Sequence, residues 1–596
     1  MALSASAALS RRDWIWLATI WVMAGGGLLL RSMTAGADLP FFNDTDDAMR
    51  MVVVHDFLAG QGWYDLVQHR LNTPFGAEIH WSRLIDLPLA GLIALASPFV
   101  ALPQATIFAG AVWPVVLMGL MLYLSARITL HLVGREGLLP ALVLPIIAPA
   151  ILAEFSPGRV DHHNVVVLMV LASLLASLLA QSRPLWAWLA GLIAATSMAI
   201  AVEALPGVVA AILSFGLAYV LNPARAANLA RFGLGFAIGM LANFALARPP
   251  AAWFEAACDM ISPVYVLAGL AVGAAYVLVW RLPAPRAAWQ RLSLLAVLGL
   301  GAAALVVALY PQCLWGPYAA LDPWLRDNWI AAIVEAKPWH RAVLEVPAFA
   351  VGIAVPVLLG LVVALVAWMR EPERRLEWLI LIIFILCTAF IMLAQIRGAR
   401  LAVLPGVPAA AWLIVRARRA YIGNPRLVPA LGLILSWLAA SGLVIMLATG
   451  GLTGLVKSHR SEQVAQALAN RQSCLAASAF ADLAALPPER IMTPIDLGAH
   501  MLLETPHAVV SAPYHRNQQG LLDTFHFFNG PADDARAIAA RRGLGLLVTC
   551  DHLPEMRGPG RAEGGTMLNL LADGTPPDWL EEVSLGGPLR VYAILP

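Results

Sequence analysis

The chain has 596 residues, of which 60% are hydrophobic and 13% are charged, and its mean hydropathy is +0.74. This composition excludes a soluble globular protein, in which about 25% of residues are charged. The formal net charge of +2, with no block of like charge, gives no basis for binding nucleic acid. We therefore expect an integral membrane protein.

The first apolar segment, WIWLATIWVMAGGGLLL, follows Arg11 and Arg12. A signal peptide would also begin with a positive flank, but this segment contains tryptophans and lacks a small-x-small cleavage site in the usual place. We interpret it as an uncleaved first span whose N-terminus is cytoplasmic.

Apolar windows of about 20 residues, each long enough for a membrane helix, recur from Trp14 to Gly450. Short loops rich in arginine should be cytoplasmic, which sets the direction of each span. These two rules predict about thirteen spans. The spans lie near residues 13–30, 106–131, 138–153, 164–181, 185–202, 205–221, 231–247, 264–280, 291–310, 346–369, 376–394, 400–416 and 427–450. An odd number of spans places the C-terminal tail outside.

One further apolar segment, LIDLPLAGLIALASPFVAL, does not fit as a span, because counting it would reverse the side of every later basic loop. We assign it to a helix in the outer interface. The fold class is then a polytopic α-helical membrane protein, with a membrane domain over residues 1–450 and an exterior domain over residues 451–596. The outer loops of the membrane domain are residues 31–104, 154–164, 248–263 and 311–345.

The first outer loop contains NDTDD, which places Asp44, Asp46 and Asp47 within four residues. Clustered carboxylates offer the hard oxygen ligands that Mg²⁺ or Mn²⁺ prefers, or a general base beside such an ion. The alternative is a solvated loop helix with Asp44 as its N-cap.

The second outer loop contains GRVDHH, in which Asp161 and His163 are two positions apart. In a non-helical turn, residues at this spacing point the same way more easily than neighbours do, so this pair is the better candidate for ligating a metal. The alternative is that Asp161 caps the next span and the histidines lie in the headgroup layer.

Three more charged residues stand out near the outer boundary. Glu335 lies between apolar neighbours in the loop 311–345, and Arg397 and Arg400 stand outside against the usual preference for basic residues. Guanidinium groups pair bidentately with phosphate oxygens, so the two arginines suggest a phosphate partner. Snorkelling to lipid headgroups is the alternative.

The tail has alternating patterns. SEQVAQALAN and DDARAIAARRG are typical of helices, and RIMTPI, HAVVSAP, LGLLVTC and LRVYAIL are typical of strands. These predict a small α/β domain with a central sheet. The polar loop APYHRNQQG follows a strand, where such domains bind ligands, so His515 and Arg516 are candidates for binding a donor phosphate or sugar. A solvated turn is the alternative.

None of the five cysteines forms a CxxC pair, which disfavours a zinc or iron-sulfur site. Cys474 and Cys550 both lie in the exterior domain, and Cys258 and Cys313 lie in neighbouring outer loops. An oxidising exterior favours a disulfide in each pair.

Four motifs together resemble those of the membrane glycosyltransferases of the GT-C fold, above all the catalytic subunit of oligosaccharyltransferases and its bacterial relatives. NDTDDAMRMVVVHDFLAG with NTPFGAEIHWSRLIDLPLA is similar to the family's first outer loop, and GRVDHH to its G-x-x-D-H-H motif. IVEAKP resembles its S/T-x-x-E motif, and AQIRGARLAVLP its Q-x-R-F stretch. The resemblance covers the order and sidedness of nearly the whole chain.

The resemblance implies roles for residues in the first two motifs. Asp46 is the counterpart of the catalytic aspartate, with Asp44 and Asp47 as alternatives. Asp161 and His163, together with Asp46, are implied to be ligands of a divalent metal ion, Mg²⁺ or Mn²⁺.

The last two motifs imply that Glu335 lies near the metal and the acceptor and that Arg397 contacts the donor phosphate or pyrophosphate. One motif is missing. Protein-directed members carry W-W-D-Y-G in the tail, whereas here Asp496 and Gly498 stand where its Asp and Gly would fall, without the tryptophans. An asparagine-sequon acceptor is therefore not expected.

These features predict a glycosyltransferase of the bacterial inner membrane whose C-terminal domain is periplasmic. It would transfer a sugar or oligosaccharide from a polyprenyl-phosphate or polyprenyl-pyrophosphate donor to an envelope glycan or lipid acceptor. Trp81, Trp315 and Trp324 offer faces for a sugar ring. Its partners would be this donor, the acceptor and the surrounding membrane lipids.

Three alternatives remain at this stage. A protein oligosaccharyltransferase has the same donor and a different acceptor. A lipid or polysaccharide transporter is of another class; it would explain Glu203 within a span, although the chain has no internal repeat. A non-catalytic scaffold would leave the outer acidic clusters unexplained.

Overall fold

The structure is a computed structural model that describes residues 8–34, 36, 39–318, 320–454, 470–553, 565–583 and 586–596. The helices of the first half are α1 (Arg11–Met33), α2 (Thr45–Leu58), α3 (Arg83–Ala96), α4 (Leu102–Leu132), α5 (Leu138–Ile146), α6 (Pro149–Glu154), α7 (His163–Leu179), α8 (Leu185–Ile200), α9 (Leu205–Leu221), α10 (Ala226–Ala247), α11 (Pro263–Arg281) and α12 (Ala288–Leu309). Those up to residue 454 are α13 (Pro323–Asn328), α14 (Trp339–Glu345), α15 (Pro347–Arg370), α16 (Arg375–Ala394), α17 (Ala399–Ala402), α18 (Val407–Gly423), α19 (Leu427–Ala440) and α20 (Gly442–Gly454).

The chain is a polytopic α-helical membrane protein. Nine helical segments of the described residues are long and apolar enough to cross a membrane, and α19 with α20 makes a tenth if the bent pair counts as one span. The other predicted spans are helical as well, but α7 and α8 have only 17 and 16 residues. Each predicted span therefore coincides with helix, and several are short or interrupted.

Two predicted spans are broken. The segment 138–153 divides into α5 and α6, with Pro145 inside the first helix and Pro149 at the start of the second. Proline removes a backbone donor and collides with the preceding turn, so a continuous helix is disfavoured here. The segment 427–450 bends by 84° between α19 and α20.

The segment assigned to the outer interface forms α3. With 14 residues it is too short to cross a bilayer, in agreement with the prediction. Ile85, Leu89 and Ile93 are buried along one face, at the spacing of a helical stripe, whereas Leu87 and Leu95 are exposed.

The tail forms the predicted α/β domain. Its helices are α21 (Ala481–Ala484), α22 (Ile495–Glu504), α23 (Gln518–Asn529), α24 (Ala532–Arg542) and α25 (Met567–Ala572). Its strands are β3 (Arg490–Met492), β4 (Ala508–Val509), β5 (Leu546–Thr549), β6 (Leu580–Val583) and β7 (Arg590–Ile594), in the order β4-β3-β5-β7-β6. β3 is parallel to β4 and β5, whereas β7 is antiparallel to β5 and β6. The predicted helix SEQVAQALAN lies, apart from Asn470, outside the described residues.

The first outer loop contacts the β4 edge of this sheet through an isolated bridge. The loop carries the short pair β1 (Val67–Gln68) and β2 (Ala77–Glu78), and between them Leu71 forms an isolated parallel bridge with Val509 of β4. Val509 donates its N–H to the Arg70 carbonyl at 2.8 Å, and Thr73 donates its own to the Val509 carbonyl at 3.1 Å. Backbone hydrogen bonds thus join the tail to the first outer loop, although more than 400 residues separate them in sequence.

Both expected disulfides are confirmed. Cys258 and Cys313 are joined with their Cα atoms 5.3 Å apart, and Cys474 and Cys550 with theirs 6.3 Å apart. The first bridge connects two outer loops, and the second lies in the tail. Cys387 is a free thiol.

Arg542 joins the tail to the first outer loop and provides a test of this shared core. It is 1% exposed, pairs with Asp523 at 2.6 Å, and donates to the Thr73 carbonyl at 2.7 Å. We expect Arg542→Ala to cost about 3–5 kcal/mol, because it leaves a buried carboxylate without its main partner. Thermal unfolding of the detergent-purified chain measures the loss.

Arg541→Ala is the matched control. Its side chain is 56% exposed and pairs with the other oxygen of Asp523 at 2.8 Å. An exposed pair contributes about 0–1 kcal/mol, so the melting temperature should change little. Equal losses in the two variants would contradict the shared core.

Candidate active site

Helix α2 begins inside the acidic motif of the first outer loop. Asp44 is its N-cap, and its carboxylate accepts the N–H of Asp46 at 3.1 Å. The capping role that was the alternative for Asp44 is therefore present. Successive residues in a helix point about 100° apart, so Asp46 and Asp47 in the first turn face different surroundings.

Asp47 ties the first outer loop to the second. One of its carboxylate oxygens accepts the N–H groups of Val160 and Asp161 at 2.7 and 2.9 Å. The other oxygen pairs with Arg159 at 2.8 Å, and the side chain is fully buried. These bonds occupy both oxygens of Asp47, which makes it a structural link rather than a free catalytic group.

The glycine of GRVDHH is needed for this contact between loops. Gly158 has a φ of +91°, which disfavours any residue with a side chain. A Cβ atom there would also lie 2.2 Å from the carbonyl oxygen of Phe41. Glycine therefore lets the second loop pass directly against the first.

The two carboxylate oxygens of the buried Asp161 have different partners. Its Oδ1 accepts from Arg50 at 3.1 Å and lies 2.6 Å from His162 Nδ1. Its Oδ2 is 3.1 Å from His163 Nε2 but makes no hydrogen bond within the described residues. Burial would raise the pKa of Asp161, but the two histidines and Arg50 hold it well below its usual value.

Asp46 has a different electrostatic environment. Burial raises the pKa of Asp46 well above its usual value, and the carboxylates of Asp44 and Asp161 raise it further, while His163 opposes the shift. The hydroxyl of Tyr514, from the tail, donates to the carbonyl of the preceding residue, Thr45, at 2.8 Å. A buried carboxylate crowded by like charges is a group that a bound cation would stabilise.

The two arginines of AQIRGAR are held differently. Arg400 is buried, lies 3.5 Å from Glu154, and donates to the Arg397 carbonyl at 3.0 Å. Arg397 lies 3.9 Å from Glu203 and 4.0 Å from Glu335. Arg400 is thus fixed in a buried ion pair, whereas Arg397 makes looser contacts.

Two cavities meet at these residues. A polar cavity of ≈190 Å³ is lined from all four outer loops and the tail, and an apolar cavity of ≈880 Å³ lies beside it. The polar cavity contains these predicted or charged residues: Asp46, His80, His162, His163, Glu203, Glu335, Arg397, Tyr514 and His515. The apolar cavity is lined by residues such as Leu205, Val209, Val306, Leu386 and Phe390. Val202, Glu203, Pro317 and Arg397 line both.

The predicted loop APYHRNQQG lies at the edge of the polar cavity, but Arg516 is already engaged. Its guanidinium donates to both carboxylate oxygens of Asp259 at 2.7 Å and also pairs with Glu78. His515 bonds to Asp259 at 2.7 Å and lines the cavity. Arg516 therefore fastens the tail to two outer loops, and a donor phosphate would have to displace two carboxylates to reach it.

Two other expectations meet structural obstacles. Trp81 lines the polar cavity, but it is buried and the guanidinium of Arg50 lies 4.3 Å from its ring centre, so one of its two faces is occupied. Asp496 pairs with Arg471 at 3.1 Å, and a Cβ on Gly498 would lie 1.9 Å from the Ser511 carbonyl oxygen. Neither Asp496 nor Gly498 lines the two cavities, which makes both structural.

Among the residues that the structure describes, two clusters of side chains could hold a divalent ion. Ligand atoms of Asp161, His162 and His163 lie within 4.8 Å of one another, as do those of His80, Asp259 and His515. In the second cluster Arg516 covers Asp259, and its positive charge would repel a cation. In the first cluster the unbonded Oδ2 of Asp161 faces an imidazole nitrogen, a mixed O and N set that suits Mn²⁺.

Sequence inspection missed the charged partners that build the site, above all Arg50, Asp86, Glu154 and Arg159. Arg50 interrupts the apolar run AMRMVVV, and Arg159 stands inside GRVDHH. A charge within an apolar run next to an acidic motif was the signal that could have identified them.

No protein-family model and no curated protein sequence matches the chain. Solved structures do match. The archaeal oligosaccharyltransferase AglB from Archaeoglobus fulgidus, in complex with an inhibitory peptide and a dolichol-phosphate, is similar with a TM-score of 0.64 at 14% identity, over 91% of this chain and 70% of that one. An A. fulgidus oligosaccharyltransferase tethered with an acceptor peptide that contains the NVT sequon gives a TM-score of 0.64 at 14% identity, over 98% of this chain and 74% of that one. Its complex with zinc and sulfate gives 0.58 at 14% identity, over 97% and 73%. At such identity the match establishes the fold alone, and the chain has the GT-C fold.

The choice between the two clusters can be tested with Mn²⁺. We expect the detergent-purified chain to bind Mn²⁺ and His163→Ala to weaken that binding by more than about 100-fold, because losing an outer partner alone costs about 10–100-fold. Titration followed by electron paramagnetic resonance of free Mn²⁺ gives the affinity.

The matched control is His515→Ala, which removes a histidine of the cluster that Arg516 covers. Its Mn²⁺ affinity should equal that of the unchanged chain. A loss with His515→Ala and none with His163→Ala would move the ion to the other cluster.

Proposed function

We propose that this protein is a glycosyltransferase of the bacterial inner membrane that uses a polyprenyl-phosphate or polyprenyl-pyrophosphate sugar donor on the periplasmic side. The observation that carries the proposal is the junction of the polar and apolar cavities at Glu203 and Arg397. A lipid-linked donor has a hydrocarbon tail, an anionic phosphate and a sugar. The apolar cavity matches the tail, Arg397 the phosphate, and the polar cavity the sugar and acceptor.

The GT-C fold supports this assignment. The similar A. fulgidus structures include a dolichol-phosphate, an acceptor peptide, and zinc with sulfate. These are a lipid phosphate, an acceptor and a divalent ion, which are the three partners that the cavities and the Asp161–His163 pair suit. A divalent ion bound there, held by Asp161, His163 and Asp46, would neutralise negative charge on the departing phosphate.

The proposed reaction consists of one proton transfer and the replacement of the bond between the sugar and the phosphate by a bond between the sugar and the acceptor. Asp46 accepts the proton of an acceptor hydroxyl, and that oxygen then attacks the anomeric carbon of the donor sugar. The bond between this carbon and the phosphate oxygen breaks, and the electron pair leaves with the polyprenyl phosphate or pyrophosphate. Arg397 binds the phosphate and stabilises the charge that develops on it.

A hydroxyl on a glycan or lipid is the acceptor we favour over an asparagine sequon. The positions that correspond to the Asp and Gly of W-W-D-Y-G are used in the packing of the tail, and its tryptophans are missing. Trp315 and Trp324 remain exposed on the outer loop 311–345, and Trp324 packs against Phe525 at 5.1 Å. Such ring faces suit stacking against sugar.

A transfer assay tests the function and the acceptor together. Purified enzyme receives a labelled lipid-linked donor with a sequon peptide in one tube and with extracted envelope glycolipid or polysaccharide in another. We expect label on the glycan or lipid. Asp46→Asn is the matched control and should lose about 10²–10⁴ in rate, which is the usual contribution of a general base.

Each alternative function has its own outcome in this assay. Label on the peptide alone would favour the oligosaccharyltransferase. No transfer to any acceptor, with movement of labelled donor across proteoliposome membranes, would favour the transporter.

The phosphate role is tested with the two arginines. We expect Arg397→Ala to lower kcat/KM for the donor by about 10–100-fold, because a hydrogen bond to a charged group contributes about 1.5–3 kcal/mol. Arg400→Ala should mainly lower thermal stability, because it breaks the buried pair with Glu154. Equal effects of both variants on the donor KM would contradict the assignment.

A further inference from the structure

Glu203 is an acidic residue in the apolar stretch AIAVEALPGVV, at the start of the span Val202–Leu221. A carboxylate at membrane depth is costly unless it is paired, so its presence calls for a partner. In sequence it was the feature that suited a transporter. Its side chain is 30% exposed, and it lines both cavities.

The two oxygens of Glu203 face two different functional groups. Oε2 lies 3.2 Å from His163 Nδ1, and Oε1 lies 3.9 Å from Arg397 Nη1. The first contact is at ion-pair distance without hydrogen-bond alignment, since His163 Nδ1 makes no hydrogen bond within the described residues.

His163 therefore stands between two carboxylates. Its Nε2 is 3.1 Å from Asp161 Oδ2, and its Nδ1 faces Glu203. An imidazole that binds a metal through one nitrogen commonly donates its other N–H to a carboxylate, which fixes both the tautomer and the ring orientation. Glu203 occupies the place of that carboxylate.

We propose that Glu203 is a positioning residue that orients His163 Nε2 toward the divalent ion and holds Arg397 at the donor phosphate. This inference rests on the proposed function, because it takes the ion and the lipid phosphate from it. The carboxylate of Glu203 thus contacts both the ion site, at His163, and the phosphate site, at Arg397. Loss of Glu203 should then weaken both, whereas a residue that only neutralises Arg397 would leave the ion site unchanged.

The test measures Mn²⁺ binding to the full-length, detergent-purified chain by electron paramagnetic resonance. We expect Glu203→Gln to weaken Mn²⁺ binding by about 10–100-fold, the usual cost of losing an outer partner of a ligand. Its donor KM should rise, and saturating Mn²⁺ should restore part of kcat. Glu371→Gln is the matched control, since Glu371 is 24% exposed and pairs with Arg416 in a separate cavity.

Glu203→Asp covers the case in which Glu203→Gln fails to fold. It keeps the charge that balances Arg397 but withdraws the carboxylate from His163, so Mn²⁺ binding should weaken while thermal stability is retained. Unchanged Mn²⁺ affinity in the folded variants overturns the inference and leaves the proposed function standing. An unchanged chain that binds no Mn²⁺ overturns the ion site and this inference together.

Discussion

The candidate site depends on one buried guanidinium, that of Arg50. It is fully buried, pairs with Asp86 at 2.7 Å and with Asp161 at 3.1 Å, and lies over the ring of Trp81. A cation without water is stable only when charge and hydrogen bonds replace its hydration, and here two carboxylates and an aromatic face do so. Arg50 thereby joins α2, α3 and the second outer loop, and it fixes Asp161 with its Oδ2 facing His163.

The tail also holds the acidic motif in place, through hydrogen bonds to the first outer loop. The hydroxyl of Tyr514 donates to the Thr45 carbonyl at 2.8 Å, and the ring of His500 lies 2.7 Å from the Phe42 carbonyl oxygen. The acidic motif is therefore held between the membrane helices and the α/β domain. Groups locked on two sides keep their geometry without reorganising during a reaction, which favours a catalytic site built from loops.

The sequence predicted the spans and the sheet because both follow from local patterns. Hydropathy marks the long apolar helices of the membrane part, but it does not mark the break that Pro145 and Pro149 cause between α5 and α6. The four motifs identified Asp46, His163, Glu335 and Arg397, and all four line the polar cavity. Three of these motifs lie in outer loops, and the fourth lies where the helix Arg375–Ala394 ends, so their order along the chain carries that information.

Local sequence patterns could not predict the contacts between distant segments of the chain. Asp46 and Asp47 are neighbours in one helical turn. Only the position of the second outer loop determines that its backbone N–H groups bind Asp47 and leave Asp46 without them. Trp81 was expected to offer a sugar face, yet a guanidinium from 31 positions earlier in the chain covers it. Arg516 likewise looked free, but its carboxylate partner lies in another loop.

The same contacts explain why one arginine suits a phosphate better than the others. Arg516 and Arg159 make carboxylate contacts of 2.6–2.8 Å, which a phosphate would have to break. Arg397 makes contacts of 3.9 and 4.0 Å with carboxylates and donates to Tyr318 and Gln395 at 3.3 and 3.0 Å. A guanidinium held by long contacts loses little interaction energy when it turns to a phosphate. Bidentate binding to the phosphate oxygens is stronger than the contacts it replaces. The strength of the existing pairs, more than the presence of a positive charge, therefore selects Arg397 at the boundary between the polar and apolar cavities.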